Sequence, residues 1–314
     1  MSGSRVVALG HYQPERVLTN ADLEKMVDTD DEWILQRTGI ATRRIAAPAE
    51  TVADMASEAG AKALASSGLS PSDIGQVIVA TCSAIDRSPS TAARVAARLS
   101  IPSAVCFDLN NACAGFCTAL ATADHTIRAG AARHALVIGA EKMSDLVDWT
   151  DRSSCVLLGD GAGAAVVSAS PDALIGPVVW GSDPTRSNAV RLVDSWQPRF
   201  AQEGQAVFRW ATTELPAVAA QACARAGIAV TDLAAVVTHQ ANLRIIEAMT
   251  RRLGLAPDVV IGRDVVESGN TSAASVPLAL SKMTERGELP SGRPVLLFAF
   301  GGGLSWSGQV ITAP

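Results

Sequence analysis

A cysteine that opens a helix is a candidate nucleophile, and Cys113 stands in such a place. It lies in Asp108-Leu-Asn-Asn-Ala-Cys-Ala-Gly-Phe-Cys-Thr-Ala-Leu120, between an apparent strand end and a run of small apolar helix formers. The positive end of the helix dipole and unpaired backbone N–H groups are expected there to favour the thiolate, the form that attacks carbonyl carbon. Ala112, Ala114 and Gly115 are small enough to let a substrate reach the sulfur. The competing reading is a buried thiol that packs as a small hydrophobe. The six cysteines are scattered through apolar surroundings, and a chain of this length has no need of disulfide staples. Cys113 and Cys117 are one helical turn apart, but no second Cys/His pair stands near in sequence to complete a tetrahedral site, so no metal is expected. The four histidines, His11, His125, His134 and His239, leave few candidates for a partner.

The elements that must position these groups read as alternating strands and helices. Gln76–Ala80, His134–Gly139, Leu233–Thr238 and Pro294–Ala299 are apolar runs of buried-strand length. The stretches 51–67, 90–99, 114–129, 212–226 and 243–253 read as helices. The alternation predicts an α/β protein whose sheets are covered on both faces. Self-similarity sharpens this. Ser67-Gly-Leu-Ser-Pro-Ser-Asp-Ile-Gly-Gln-Val-Ile-Val79 matches Ala226-Gly-Ile-Ala-Val-Thr-Asp-Leu-Ala-Ala-Val-Val-Thr238 without a gap, pairing Gly68 with Gly227 and Asp73 with Asp232. Ala119-Leu120 falls on Ala279-Leu280, and Gly159-Asp-Gly-Ala-Gly163 resembles Gly301-Gly-Gly-Leu-Ser305, each followed by a β-rich tail. Two copies of one βα core are expected, residues 1–170 and 171–314. Packed about a pseudo-twofold axis, they bring Cys113, His239 and the Gly269-Asn-Thr271 turn to corresponding strand-to-helix junctions, where α/β proteins place ligands.

Bulk composition bounds the function. At 314 residues and 48% hydrophobic, the chain can build a large core. A net charge of −5 and 4% aromatic residues exclude a general nucleic-acid surface. No apolar run reaches the roughly 18 residues of a spanning helix, and the N-terminus has no signal-peptide core. No membrane partner is expected, and the chain reads as cytoplasmic.

Asn111-Ala-Cys-Ala-Gly-Phe116, Thr238-His-Gln-Ala-Asn-Leu-Arg-Ile-Ile246, Gly269-Asn-Thr-Ser-Ala-Ala-Ser-Val-Pro277 and Phe300-Gly-Gly-Gly-Leu-Ser-Trp306 together resemble the motifs of β-ketoacyl-ACP synthase III. Asp31-Glu-Trp-Ile-Leu-Gln-Arg-Thr-Gly-Ile40 and Asp151-Arg-Ser-Ser-Cys155 extend the likeness over essentially the whole chain. The resemblance implies a thiolase-like fold layered α-β-α-β-α, a homodimer, and an acyltransferase that initiates fatty-acid or polyketide chains. It uses no cofactor; an acyl-CoA and malonyl-acyl carrier protein enter as substrates. Cys113 would carry the acyl group, with His239 and Asn270 as partners in decarboxylative condensation. The N–H groups of Cys113 and Gly302 would form the oxyanion hole. Trp33 and Arg152 map to a pair that sandwiches adenine, with Arg37, Phe208 and Asn242 along the same tunnel. Ser88 and Phe300 map to the acyl pocket, and Arg209, Arg244, Arg251 and Arg252 to positions that dock the acidic carrier protein.

Three features depart from the pattern. Ser88 replaces a frequent Phe donated across the dimer, which widens the acyl pocket or changes its chemistry. Asn110 and Asn111 replace small residues before the cysteine, and residues 181–205 form a shorter variable stretch. These leave the starter acyl group open. Acyl transfer without condensation is the first alternative, but Asn270 argues against it because simple transfer has no enolate to stabilise. A catalytically silent subunit is the second, and a cysteine hydrolase is disfavoured by motif order.

Overall fold

The computed structural model describes residues 3–86, 88–194 and 196–314. The apolar runs Gln76–Ala80 and His134–Lys142 form adjacent parallel strands, buried on both faces. Val105–Leu109 pairs parallel on the outer side of Gln76–Ala80. Asp160–Ser170 and Gly3–Tyr12 add antiparallel strands on the other side. The second sheet repeats this arrangement strand for strand. Ala235–Thr238 lies between Val260–Ile261 and Pro294–Gly301, parallel to both, and Ser305–Thr312 and Val179–Ser182 follow antiparallel. The two five-stranded sheets thus share one order and one polarity at every step.

Side-chain alternation along the strands explains the layering. Ile78, Val137, Val237 and Leu297 point into a central core shared with Phe116 and Leu120 of the helix Gly115–Arg128 and Val276 and Leu280 of the helix Ser275–Glu285. Their neighbours Val77, Val79, Leu136 and Ile138 face outward against the helices Val52–Ser67 and Thr91–Arg98. Val236, Leu296 and Phe298 do the same against Leu215–Arg225 and Leu243–Leu253. The result is the expected α-β-α-β-α stack. Gly68 and Gly227, matched in the internal repeat, both adopt a left-handed backbone, at φ 71° and 70°.

Two details differ from the sequence reading. The single helix expected over 212–226 is two, Gly204–Thr213 and Leu215–Arg225, meeting at Glu214. Pro216 sits in the first turn of the second, where its missing N–H costs nothing and its ring would clash with a continuing helix. The repeat also fixes a finer correspondence for the nucleophile turn. The short 3-10 turn Ala112–Ala114 matches Ser272–Ala274, so the counterpart of Cys113 is Ala273 and that of Asn270 is Asn110. Among the described residues no helix is long and apolar enough to cross a membrane.

Candidate active site

Cys113 sits at the middle of the Ala112–Ala114 turn, between the strand Val105–Leu109 and the first central helix. The two asparagines before it brace the turn. Asn110 Oδ1 accepts from Ala112 N at 3.1 Å, and Asn111 Nδ2 donates to Thr118 Oγ1 at 2.9 Å. Across from the sulfur lies the Gly301–Gly303 turn, held by a 2.8 Å bond from Ser305 Oγ to Gly302 O. A Cβ on Gly301 would stand 2.8 Å from Cys113 Cβ and 3.1 Å from its sulfur, so only glycine allows this approach.

The electrostatics of the thiol correct the sequence expectation. Burial pushes the Cys113 pKa up to about 11; the neighbouring Ser272 hydroxyl and the residue's own N–H lower it less, and the Glu141 charge adds to the rise. Desolvation of the thiolate outweighs the helix-start effect, because the half-buried sulfur stands at the junction of two cavities rather than at an open helix end. The free protein therefore holds Cys113 as a thiol.

His239 follows the strand Ala235–Thr238, with its N–H bonded to Phe298 O at 2.8 Å. It is 2% exposed, and burial depresses its pKa to about 3, so the imidazole is neutral. Its Nδ1 lies 2.8 Å from Ser275 Oγ, which also accepts from Gln240 N at 3.3 Å. Both groups are satisfied when Ser275 donates to Nδ1, which puts the ring proton on Nε2. Phe300 packs edge-on against the ring at 5.3 Å. Asn270 is tied to the first half of the chain. Its N–H donates to Leu157 O at 2.8 Å and its carbonyl accepts from Gly159 N at 3.1 Å. Asn270 Oδ1 accepts from Ser272 N at 2.9 Å, which leaves Nδ2 as the group available for a ligand.

Cys113, His239 and Asn270 line one cavity of about 660 Å³. The same cavity is lined by Trp33, Arg37, Phe208, Arg209, Asn242 and Arg244, of which the three arginines are exposed and mark its rim. Arg152 does not line it. Its guanidinium rests 4.8 Å from the Trp33 ring centre and donates to Asp28 O at 2.7 Å, so the two groups stack on each other with no room for a base between them. Arg244 lies 5.6 Å from the Phe208 ring centre. Asn242 caps the helix Leu243–Leu253 through a 2.9 Å bond to Ile245 N. Arg251 and Arg252 are exposed in the last turn of that helix and do not line the cavity.

A second cavity of about 370 Å³ reaches Cys113 from the other side, lined by Cys82, Asn110, Asn111, Met143, Leu158 and Leu192 and sharing Val190, Phe200 and Asn270 with the first. The two residues expected at an acyl pocket lie elsewhere in the single chain. Ser88 is exposed and lines neither cavity, because the loop after Gln76–Ala80 runs outward there. Phe300 lines the larger cavity instead, since strand alternation turns it toward Trp210 and His239. The sequence reading also missed Ser275 and Gly301. The clustered serines of Gly269–Pro277 and the first glycine of Gly301–Gly303 were the available signals.

Comparison with known proteins agrees with this geometry. Residues 107–184 match the family model for 3-oxoacyl-[acyl-carrier-protein] synthase III, and residues 223–313 match its C-terminal model. The chain is 64% identical to β-ketoacyl-[acyl-carrier-protein] synthase III 4 of Streptomyces coelicolor, over 99% of both proteins. It is 63% identical to synthase III 2 of Streptomyces avermitilis over the full length of both. Among solved structures, a priming β-ketosynthase of a polyketide biosynthetic pathway superposes with a TM-score of 0.98 at 42% identity, covering 99% of this chain and 96% of that one. The 3-oxoacyl-[acyl-carrier-protein] synthase III of Aquifex aeolicus gives 0.93 at 40% identity, covering 99% and 100%. Repeated sheets of one order, a cysteine turn facing a glycine turn, and relatives this similar over their whole length place the chain in the β-ketoacyl-[acyl-carrier-protein] synthase III family.

Proposed function

We propose that this protein is an acyltransferase that starts fatty-acid or polyketide chains by decarboxylative condensation of an acyl-CoA starter with malonyl-acyl carrier protein. One observation carries the reading. A buried neutral His239 and the free amide edge of Asn270 line the same cavity as the Cys113 thiol.

In the first half-reaction the Cys113 sulfur attacks the acyl-CoA carbonyl, and its proton leaves with the departing CoA thiol. The tetrahedral oxyanion sits between the N–H groups of Cys113 and Gly302. In the second, the malonyl thioester loses CO2, and negative charge builds on its thioester oxygen. His239 Nε2–H and Asn270 Nδ2–H are neutral donors suited to that enolate, and a donor of this kind is worth about 10²–10³ in rate. The enolate carbon then attacks the Cys113 thioester, giving the β-ketoacyl carrier and returning the thiolate, which takes a proton from solvent.

The larger cavity suits the CoA or carrier arm, with Trp33, Arg37, Phe208 and Asn242 along it, Arg152 stacked behind Trp33, and Arg209, Arg244, Arg251 and Arg252 on the acidic carrier's approach. The second cavity suits the starter acyl group. The working unit in this reading is a homodimer of two-part chains, 1–170 and 171–314. An unpaired edge on the strand Val105–Leu109, where Val105 is 56% exposed, supports it. In such a dimer Ser88 reaches the partner's acyl pocket. Six unpaired cysteines suit the reducing cytoplasm.

The deciding experiment incubates the protein with an acyl-CoA and malonyl-acyl carrier protein. A Cys113 acyl adduct by intact mass, followed by stoichiometric CO2 release, is the expected result. Acyl transfer without CO2 would overturn the condensation reading.

A further inference from the structure

Glu141, at the end of the strand His134–Lys142, is a fully buried carboxylate to which the mechanism above gives no part. Its surroundings are all donors. From the first half of the chain, Thr81 Oγ1 and Cys82 N reach Oε2 at 3.1 Å each, and Ser83 Oγ bonds the same oxygen. From the second half, Ser272 Oγ donates to Oε1 at 3.0 Å and Ala273 N approaches it at 3.4 Å. Burial raises the Glu141 pKa, while the Ser83, Cys82 and Ser272 donors work against that rise. A carboxylate that gathers this many donors fixes the backbone around it.

What it fixes is the turn that presents Asn270. Ser272, with φ at 48°, holds a left-handed conformation that a serine rarely adopts, and the next residue gives its N–H to Glu141. The Ser272 N–H, in turn, is the group that occupies Asn270 Oδ1. Glu141, Ser272 and Asn270 form a chain of contacts from the floor of one half to the reacting amide of the other.

We propose that Glu141 is a positioning residue for the condensation half-reaction, clamping Ser272 and Ala273 so that the Asn270 amide points its N–H at the malonyl thioester oxygen. The inference rests on the condensation reading given above. It assigns Glu141 no contact with substrate. Acylation of Cys113 needs no donor from Asn270, so loss of the clamp must separate the two half-reactions.

The test uses the full-length protein with Glu141→Gln, Ser272→Ala and the double variant. Ser272→Ala is compatible with the turn, since Ala112 holds φ 44° in the matching turn of the other half. Displacing a reacting group by about 1 Å costs on the order of 10²-fold. CO2 release from malonyl-acyl carrier protein is expected to fall by about 10- to 100-fold in each single variant, through kcat with KM unchanged. In Glu141→Gln, Cys113 acylation should stay within about threefold of the unmodified protein. Ser272→Ala also loses the hydroxyl beside the Cys113 thiol, so it is scored by CO2 release after complete acylation. The double variant should release CO2 no slower than the slower single one. Equal loss of both half-reactions in Glu141→Gln, or full CO2 release in Ser272→Ala, would overturn the inference. If Glu141→Gln does not fold, CO2 release from fully acylated Ser272→Ala alone decides, and release at the unmodified rate overturns the inference. If the unmodified protein releases no CO2, the condensation reading fails and takes this inference with it. Normal release with unsplit variants overturns the positioning role alone.

Discussion

Ala112 and Ser272 hold the same left-handed backbone, φ 44° and 48°, at matching turns before the two central helices. Two non-glycine residues in this sparsely populated region, at equivalent positions, mark one inherited turn used for two purposes. In the first half the turn presents Cys113 as its next residue. In the second the equivalent position is Ala273, and the turn instead orders Asn270 through the Ser272 N–H. The turns that present Cys113 and Asn270 are thus versions of one structural device, and both residues line one cavity.

The approach of Gly301 to Cys113 predicts a steric block. Gly301→Ala would put a methyl 2.8 Å from Cys113 Cβ. Acyl-enzyme formation should fall by about 10²-fold, since misplacement of this size disrupts attack geometry. Circular dichroism should be unchanged. Intact-mass kinetics with acyl-CoA measure it, and acylation at the normal rate would show that the turn can yield.

Division of labour among the three residues gives a second expectation. Cys113→Ala should carry no acyl adduct. His239→Ala and Asn270→Ala should still acylate yet lose condensation by about 10²–10³-fold. Adduct mass and CO2 release, measured on the same samples, separate these outcomes.

The pH behaviour follows from two buried groups. His239 keeps its neutral form down to about pH 3, so the condensation rate should show no inflection near 6.5 from this residue. Unfolded His239 takes up a proton below about 6.5. The stability from its neutral burial is therefore complete above that pH and is lost as pH falls toward 3. Urea midpoints at neutral and acid pH should differ less in His239→Gln than in the unmodified protein. Cys113, with its pKa near 11, should alkylate with iodoacetamide at a rate still rising above pH 9. A plateau below pH 8 would contradict the raised thiol pKa.

Stacking of Arg152 on Trp33 predicts a binding effect without a chemical one. Trp33→Ala removes the surface on which Arg152 lies at 4.8 Å. The indole itself lines the larger cavity, and an aromatic contact there is worth about 0.5–1 kcal/mol, so KM for acyl-CoA should rise roughly two- to fivefold with kcat retained. Steady-state kinetics with acyl-CoA varied give the answer, and a loss confined to kcat would place Trp33 nearer the chemistry.

Much of this was legible in the sequence. Gln76–Ala80 appears as read because an unbroken apolar run of that length, bounded by turn residues, suits a strand buried on both faces. Cys113, His239 and Asn270 could be named because each stands in a dense local motif. What escaped depends on distance through space. No local pattern says that Ser275 holds the His239 ring, 36 residues away in sequence. Nor does a helix-start position reveal how far the surrounding walls desolvate Cys113, which reversed the expected direction of its titration. Ser88 was matched by position alone, and in the single chain its side chain lies outside both cavities.

The two central helices have a consequence for folding. Each packs against both sheets, and at Gly139 the absence of a side chain lets the Ala273 carbonyl from the other half rest on the strand. Neither half owns the cover of its own inner face. A half made alone would expose that face to water, so the two repeats must gain and lose structure in one cooperative transition. Duplication here produced a single folding unit, and Cys113, His239 and Asn270 sit along the seam that makes it single.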